Sequence, residues 1–246
     1  MPAVPALSGS RPPVRRVGHK GAHHIAPGNT RASFDAAVAH GVDMIEFDVL
    51  PTDWRHPDTC DLVLAHDYTD DLPTAHSLQD GLAYLASPAF ARIEFDLDLK
   101  VPGYEKRVVE ALREHGLIER TLVSTQYMRS LVVIREIEPK LRLGWSVPRV
   151  KRDYTRSRLY VLPALGILRV MRRRLPEVAA GHLRARRCDA VMAHWRLVTP
   201  RLVEAVREAA GELFVWTVDD AEQIRRFERL GVSGIITNDP RLFAVS

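Results

Sequence analysis

Two histidines, five carboxylates and two lysines within the first hundred residues are spaced so that they can meet on one substrate. His19 and Lys20 stand in the run Gly18-His19-Lys20-Gly21. Glu46 and Asp48 lie two apart in DMIEFDV, and Asp96, Asp98 and Lys100 repeat that spacing in FDLDLK. A spacing of two puts side chains on the same face of a strand. His66 and Asp67 follow in DLVLAHD. Carboxylates gathered on neighbouring strands repel one another strongly away from water. One such acid is most simply a helix cap or the partner of an arginine, but a set on consecutive strands calls for a divalent cation. Oxygen donors without a Cys and His ligand set suit hard Mg2+ or Ca2+ rather than structural zinc. Beside such an ion, two histidines can serve as general acid and general base, because imidazole titrates near neutral pH. The ion, with Lys20 or Lys100, would offset charge on phosphoryl oxygens. Those are the parts that cleavage of a phosphodiester requires.

The elements that must position these groups alternate along the whole chain. Short β-branched runs, RRVGH, DMIEFDV, ARIEFDLDL, RTLVST, LRLGWSV, DAVMAH, ELFVWTV and SGIITN, read as eight strands. Between them lie helix-period segments, four of which stop at a glycine: NTRASFDAAVAHG at Gly41, YEKRVVEALREHG at Gly116, TPRLVEAVREAAG at Gly211 and DAEQIRRFERLG at Gly231. The alternation predicts a parallel α/β fold. Eight strands is the number a closed (β/α)8 TIM barrel needs, with an open doubly wound sheet as the alternative. In either, side chains at the C-terminal strand ends form the site, where His19, Glu46, Asp48 and Asp98 fall. The 246 residues suffice for one such domain, expected over 14–246, with a short disordered leader over 1–13.

The leader lacks the apolar core of a signal peptide and no stretch has the length of a membrane span, so a cytoplasmic location is expected. Cys60 and Cys188 have no CxxC spacing and read as idle thiols. The net charge of +4 hides a regional imbalance: Arg149 to Arg187 holds twelve Lys or Arg against two acids, so the remainder is acidic. This segment, the connection between the fifth and sixth strands, is not interleaved with aromatics as a nucleic-acid surface would be, and no nucleic-acid partner is expected. Its arginines adjoin the apolar run LYVLPALGIL. That pattern fits peripheral contact with an anionic membrane, at the inner face, as well as it fits a solvated barrel helix.

The order of the motifs resembles the glycerophosphodiester phosphodiesterase family. That family opens on HRG, continues with PENT at a helix start, a G-A-D-x-I-E-x-D-V strand and an HD pair, and closes on WTVN and G-x-x-G-I-x-T-D-x-P. Here the matching stretches read HKG, PGNT, GVDMIEFDV, AHD, FVWTVDD and GVSGIITNDP, while DLDLK is similar to the family's E-x-K strand. The resemblance runs from His19 to Pro240.

The resemblance implies a (β/α)8 barrel that hydrolyses glycerophosphodiesters or related lysophospholipid-like diesters. It implies one divalent ion held by Glu46, Asp48 and Asp98, catalytic roles for His19 and His66, Lys100 on phosphate and Trp216 lining the pocket. Lys20 stands where the family has arginine, which keeps the charge but not the bidentate fork. Gly28 replaces the glutamate of PENT, and Asp98 is one methylene shorter than the usual glutamate. Between Asp67 and Ile93 the family's inserted R-T-T segment is missing, a shortening similar to that of the phospholipase D-type relatives. Two alternatives therefore accompany the hydrolase: a lyase of that type, releasing a cyclic phosphate, and a non-catalytic lipid-binding barrel. His194, at the end of the sixth strand, is a further candidate substrate contact.

Overall fold

A computed structural model describes residues 13–148 and 161–244. Of the leader expected over 1–13, only Pro13 is among them. Residues 149–160 of the basic connection also lie outside the described residues. Eight parallel strands form the barrel: β1 (Arg15–Gly18), β2 (Met44–Pro51), β4 (Glu94–Leu99), β5 (Thr121–Thr125), β6 (Arg142–Val147), β7 (Ala190–His194), β8 (Glu212–Trp216) and β9 (Gly234–Thr237). β1 pairs with both β2 and β9, so the sheet closes and the open-sheet alternative falls away. The ninth strand, β3 (Leu62–Val63), is a short antiparallel arm on the end of β2. Among the described residues the helices are α1 (Arg31–Ala39), α2 (Leu78–Leu85), α3 (Glu105–Glu114), α4 (Met128–Ile137), α5 (Val161–Arg184), α6 (Pro200–Glu208) and α7 (Ala221–Leu230).

The eight strands expected from sequence are all present, for a physical reason. Each is covered on both sides, by the barrel interior and by the helix layer, so each reads as an apolar run. On β2, Ile45, Phe47 and Val49 face the main core under the helices, while Met44 faces the barrel interior. Three helix starts follow side-chain caps read from sequence: Thr30 forms a capping box with Ser33, and Thr199 and Asp220 cap α6 and α7. Gly231 ends α7 in the left-handed conformation, φ 75°. The glycine after α6 acts differently from expectation. The left-handed residue there is Ala210, φ 55°. Gly211 instead provides room, because a Cβ on it would come within 2.5 Å of Leu183 on α5.

The interior is filled in layers contributed by alternate strands. At the N-terminal mouth the first residues of β1, β4, β6 and β8 form a closed ion network. Arg15 pairs with Glu94 and Glu212, and Arg142 bonds Glu94 at 2.8 Å and Glu212 at 2.7 Å. Above it come apolar side chains, Val17, Met44, Leu122, Ala190 and Phe214. Strand alternation then makes the upper layers polar, with Glu46 and Ser124 followed by His19, Asp98 and Ser146. The barrel is sealed at the bottom and chemically equipped only at the top.

Candidate active site

The first loop is shaped by its own backbone before any ligand is considered. After β1, Lys20 and Gly21 both adopt positive φ, 51° and 81°. The turn is held because the Lys20 amide donates to Glu46 Oε2 at 2.8 Å and the Ser33 hydroxyl donates to the Lys20 carbonyl at 2.8 Å. His19 is thereby aimed into the barrel mouth. Its Nδ1 lies 2.6 Å from Asn238 Oδ1, which can only accept, so Nδ1 carries the proton and donates. Asn238 is fixed in turn by Asp219, which accepts from its side chain at 2.7 Å and from its amide at 2.8 Å. His19 Nε2 is left facing the site as an acceptor, 3.7 Å from Glu46 Oε2. Burial is the main cause that lowers the His19 pKa to about 4, outweighing the Asp48 charge and the Asn238 bond. The ring is neutral at physiological pH.

Glu46, Asp48 and Asp98 bring one oxygen each to within 4.8 Å of one another. Asp48 is wholly buried. It takes 3.0 Å and 3.1 Å bonds with the Asn29 side chain, which donates to Oδ2 and accepts from the Asp48 amide. The Lys100 ammonium lies 2.5 Å from Asp48 Oδ1 and 2.6 Å from Asp98 Oδ2, and Lys20 Nζ is 4.0 Å from Asp48 Oδ2. Burial and then the Asp48 charge push the Glu46 carboxyl well above its usual range. For Asp48, burial works upward too, but Lys100, with His66 and Lys20, holds its carboxyl below the usual range. Three hard oxygens converging in a buried site, one of them driven toward protonation by burial and then by its neighbours, fit a divalent cation.

His66 enters from the loop after β3. Its amide donates to Asp70 Oδ2 at 2.7 Å and its Nδ1 lies 3.4 Å from Asp67 Oδ2. Side chains of His19, His66, Glu46, Asp98, Lys100 and Trp216 line one pocket at the C-terminal strand ends. The Trp216 indole donates to the Met192 carbonyl at 2.8 Å, and His194 meets its ring edge-on at 5.2 Å. His194 therefore packs on the pocket wall and is not among the lining residues. The eight site residues expected from sequence converge. Several were missed: Asn29 and Asn238 lie inside the motifs PGNT and GIITNDP, but their bonds to Asp48 and His19 depend on loop conformation that spacing does not show. Ser124, Ser146 and Met192 gave no sequence signal beyond their place on inward strand positions.

Comparison with known proteins agrees with this geometry. The sequence model of the "Glycerophosphoryl diester phosphodiesterase family" matches residues 19–72 and 91–242, passing over α2 and its flanks. A glycerophosphodiester phosphodiesterase of Caldanaerobacter subterraneus subsp. tengcongensis is 27% identical, with the alignment spanning 91% of this chain and 93% of that protein. A crystal structure of a glycerophosphodiester phosphodiesterase from Parabacteroides distasonis superposes with a TM-score of 0.73 at 16% identity, covering 96% of this chain and 98% of that one. An Oleispira antarctica phosphodiesterase, solved in complex with the product sn-glycerol-3-phosphate, superposes with a TM-score of 0.65 at 18% identity over 96% of both chains.

Proposed function

The chain belongs to the glycerophosphoryl diester phosphodiesterase family and is a phosphoric diester hydrolase, and on that premise we propose that it hydrolyses glycerophosphodiesters to sn-glycerol 3-phosphate and an alcohol, with His19 and His66 as its acid–base pair. The observation that carries the reading is the pair of imidazoles lining one pocket around three converging carboxylates. A divalent cation, Mg2+ or Ca2+, held by Glu46, Asp48 and Asp98, supplies Lewis-acid stabilisation of charge on a phosphoryl oxygen. His19, neutral and with Nε2 free to accept, takes a proton from the attacking water as the new P–O bond forms. His66, oriented by Asp67, delivers a proton to the departing alcohol oxygen as the ester P–O bond breaks. Lys100 and Lys20 offset the negative charge that the phosphoryl group carries, and Trp216 forms a wall of the pocket. The product bound to the Oleispira antarctica phosphodiesterase supports the same glycerophosphate end for this substrate. The test is release of glycerol 3-phosphate from a glycerophosphodiester, measured by a coupled dehydrogenase before and after chelation. No release with either ion present would remove the proposal.

We further propose that the first half of α5 meets an anionic membrane surface. At 1.5 Å per residue this helix of 24 residues is about 36 Å long, against about 14 Å for the 9 residues of α6. Its second half packs through Leu175, Ala179 and Leu183. Arg172 Nε donates to the Arg196 carbonyl just after β7, which sets the first half of the helix beside the C-terminal strand ends, with Leu168 and Met171 turned to the core. There Ile167 and Val170 are 62% and 53% exposed, beside exposed Arg169, Arg173 and Arg174. Exposed apolar and cationic side chains together fit a lipid surface. Among the described residues no helix is long and apolar enough to cross a membrane.

A further inference from the structure

One carboxyl inside the barrel has no part in the chemistry above. Asp96 precedes Asp98 by two residues on β4, on the same inward face but one pleat deeper, about 6.6 Å down the strand. Strand alternation places it in the layer of Val17 and Phe214, otherwise apolar. It is 1% exposed, and its Oδ1 has no hydrogen-bond partner. An unsatisfied buried carboxyl destabilises a fold, and an apolar side chain of the same size would fit that layer better. Asp96 nevertheless lines the pocket, at its foot.

Its surroundings are two-sided. On the adjacent strands β5 and β6, Ser124 and Ser146 also line the pocket, so Asp96, Ser124 and Ser146 form a rising polar staircase. Met192, Ile236 and the Trp216 ring line the same pocket from β7, β9 and β8 across the barrel. One wall offers hydroxyl and carboxyl groups, and the other, Thr217 apart, offers apolar side chains and an aromatic face. A short polyol has that same division, with hydroxyls on one edge of its carbon chain and C–H groups on the other.

We infer that Asp96, with Ser124 and Ser146, is a hydroxyl-binding floor that takes the free vicinal hydroxyls of the glycerol unit. The glycerol end then enters the barrel first, beneath the phosphate. This assignment rests on the hydrolase reading, because it needs a phosphate placed at the carboxylate trio. A site built to bond hydroxyls discriminates strongly against an analogue that lacks them, since its own polar groups are then left unpaired.

Isothermal titration calorimetry with sn-glycerol 3-phosphate and with n-propyl phosphate, in the presence of Mg2+ or Ca2+, tests it without turnover. The wild-type protein should bind the glycerol compound at least ~10-fold more tightly. Asp96→Leu should bring that ratio close to one, and Ser146→Ala should lower it in part. The same Asp96→Leu protein should melt no lower than wild type, which shows that the loss is not one of folding. Equal wild-type binding of the two phosphates, or an Asp96→Leu variant that keeps the preference, would overturn the floor. A parallel loss of both ligands would also overturn it, because Asp96 would then act through the carboxylate trio. Tight, hydroxyl-dependent binding without turnover of any glycerophosphodiester would instead sink the hydrolase reading and leave the floor standing.

Discussion

Replacing Asn29 by alanine should disable the site from a position that touches no substrate. Asn29 is buried, its amide bonds Asp48 twice, and its backbone has φ 59°. Losing the bond to the Asp48 carboxylate costs about 1.5–3 kcal/mol, and leaving the buried Asp48 amide unpaired costs about 1–3 kcal/mol more. A non-glycine residue without a side-chain bond to hold it in the left-handed region adds about 1 kcal/mol. The sum is about 3.5–7 kcal/mol, and in a domain of this size each kcal/mol lowers Tm by about 2–4 °C. A fall of about 7 °C or more is therefore expected for Asn29→Ala. Asn29→Gly should recover the backbone part alone. Because Asp48 loses its orienting partner, cation affinity should also fall about 10–100-fold in both variants. Calorimetric melting and cation titration read the two effects separately. An Asn29→Ala protein with unchanged Tm and unchanged cation affinity would refute the claim that Asn29 holds Asp48 in place.

His19→Ala and His66→Ala should each lower kcat about 10²–10⁴-fold, with the double variant little worse than either single one, and near-normal turnover in either would contradict its role. Lys20→Ala should lower kcat/KM while Lys20→Arg keeps most of it; an unaffected alanine variant would place the ammonium away from phosphate. Cys188 is buried and its thiol is pushed up to about 12 by that burial, so a chromogenic disulfide reagent should titrate Cys60 alone in the native protein and both thiols only after unfolding. Replacing Arg172, Arg173 and Arg174 by glutamine should abolish sedimentation with anionic liposomes and leave cleavage of a soluble diester intact, and equal binding of wild type to neutral liposomes would remove the electrostatic argument.

The barrel was legible in the sequence because its strands are buried on both faces and several of its helices carry their own caps. Thr30, Thr199 and Asp220 act as those caps locally, so sequence alone reveals them. The period-two spacing of Glu46 with Asp48 and of Asp98 with Lys100 likewise translates directly into a shared face. Supports that cross between loops were not legible. The bond from His19 to Asn238 spans 219 positions and exists only once β1 and β9 pair. Ala210 took the left-handed conformation that Gly211 was expected to have, because the packing of Leu183 against Gly211 is tertiary. Asp96 was visible as a same-face neighbour of Asp98, but that its Oδ1 has no partner appears only when the layers around it are in place.

Hydrolysis by a water that His19 deprotonates is the central claim, and phosphorus NMR of turnover in ¹⁸O-enriched water tests it most directly. A glycerophosphodiester incubated with the protein and Mg2+ or Ca2+ should give a phosphomonoester carrying one ¹⁸O, seen as an isotope-shifted resonance, and chelation should suppress it. A cyclic phosphate without ¹⁸O as the first product would show that a substrate hydroxyl, not water, attacks phosphorus, and would contradict the account.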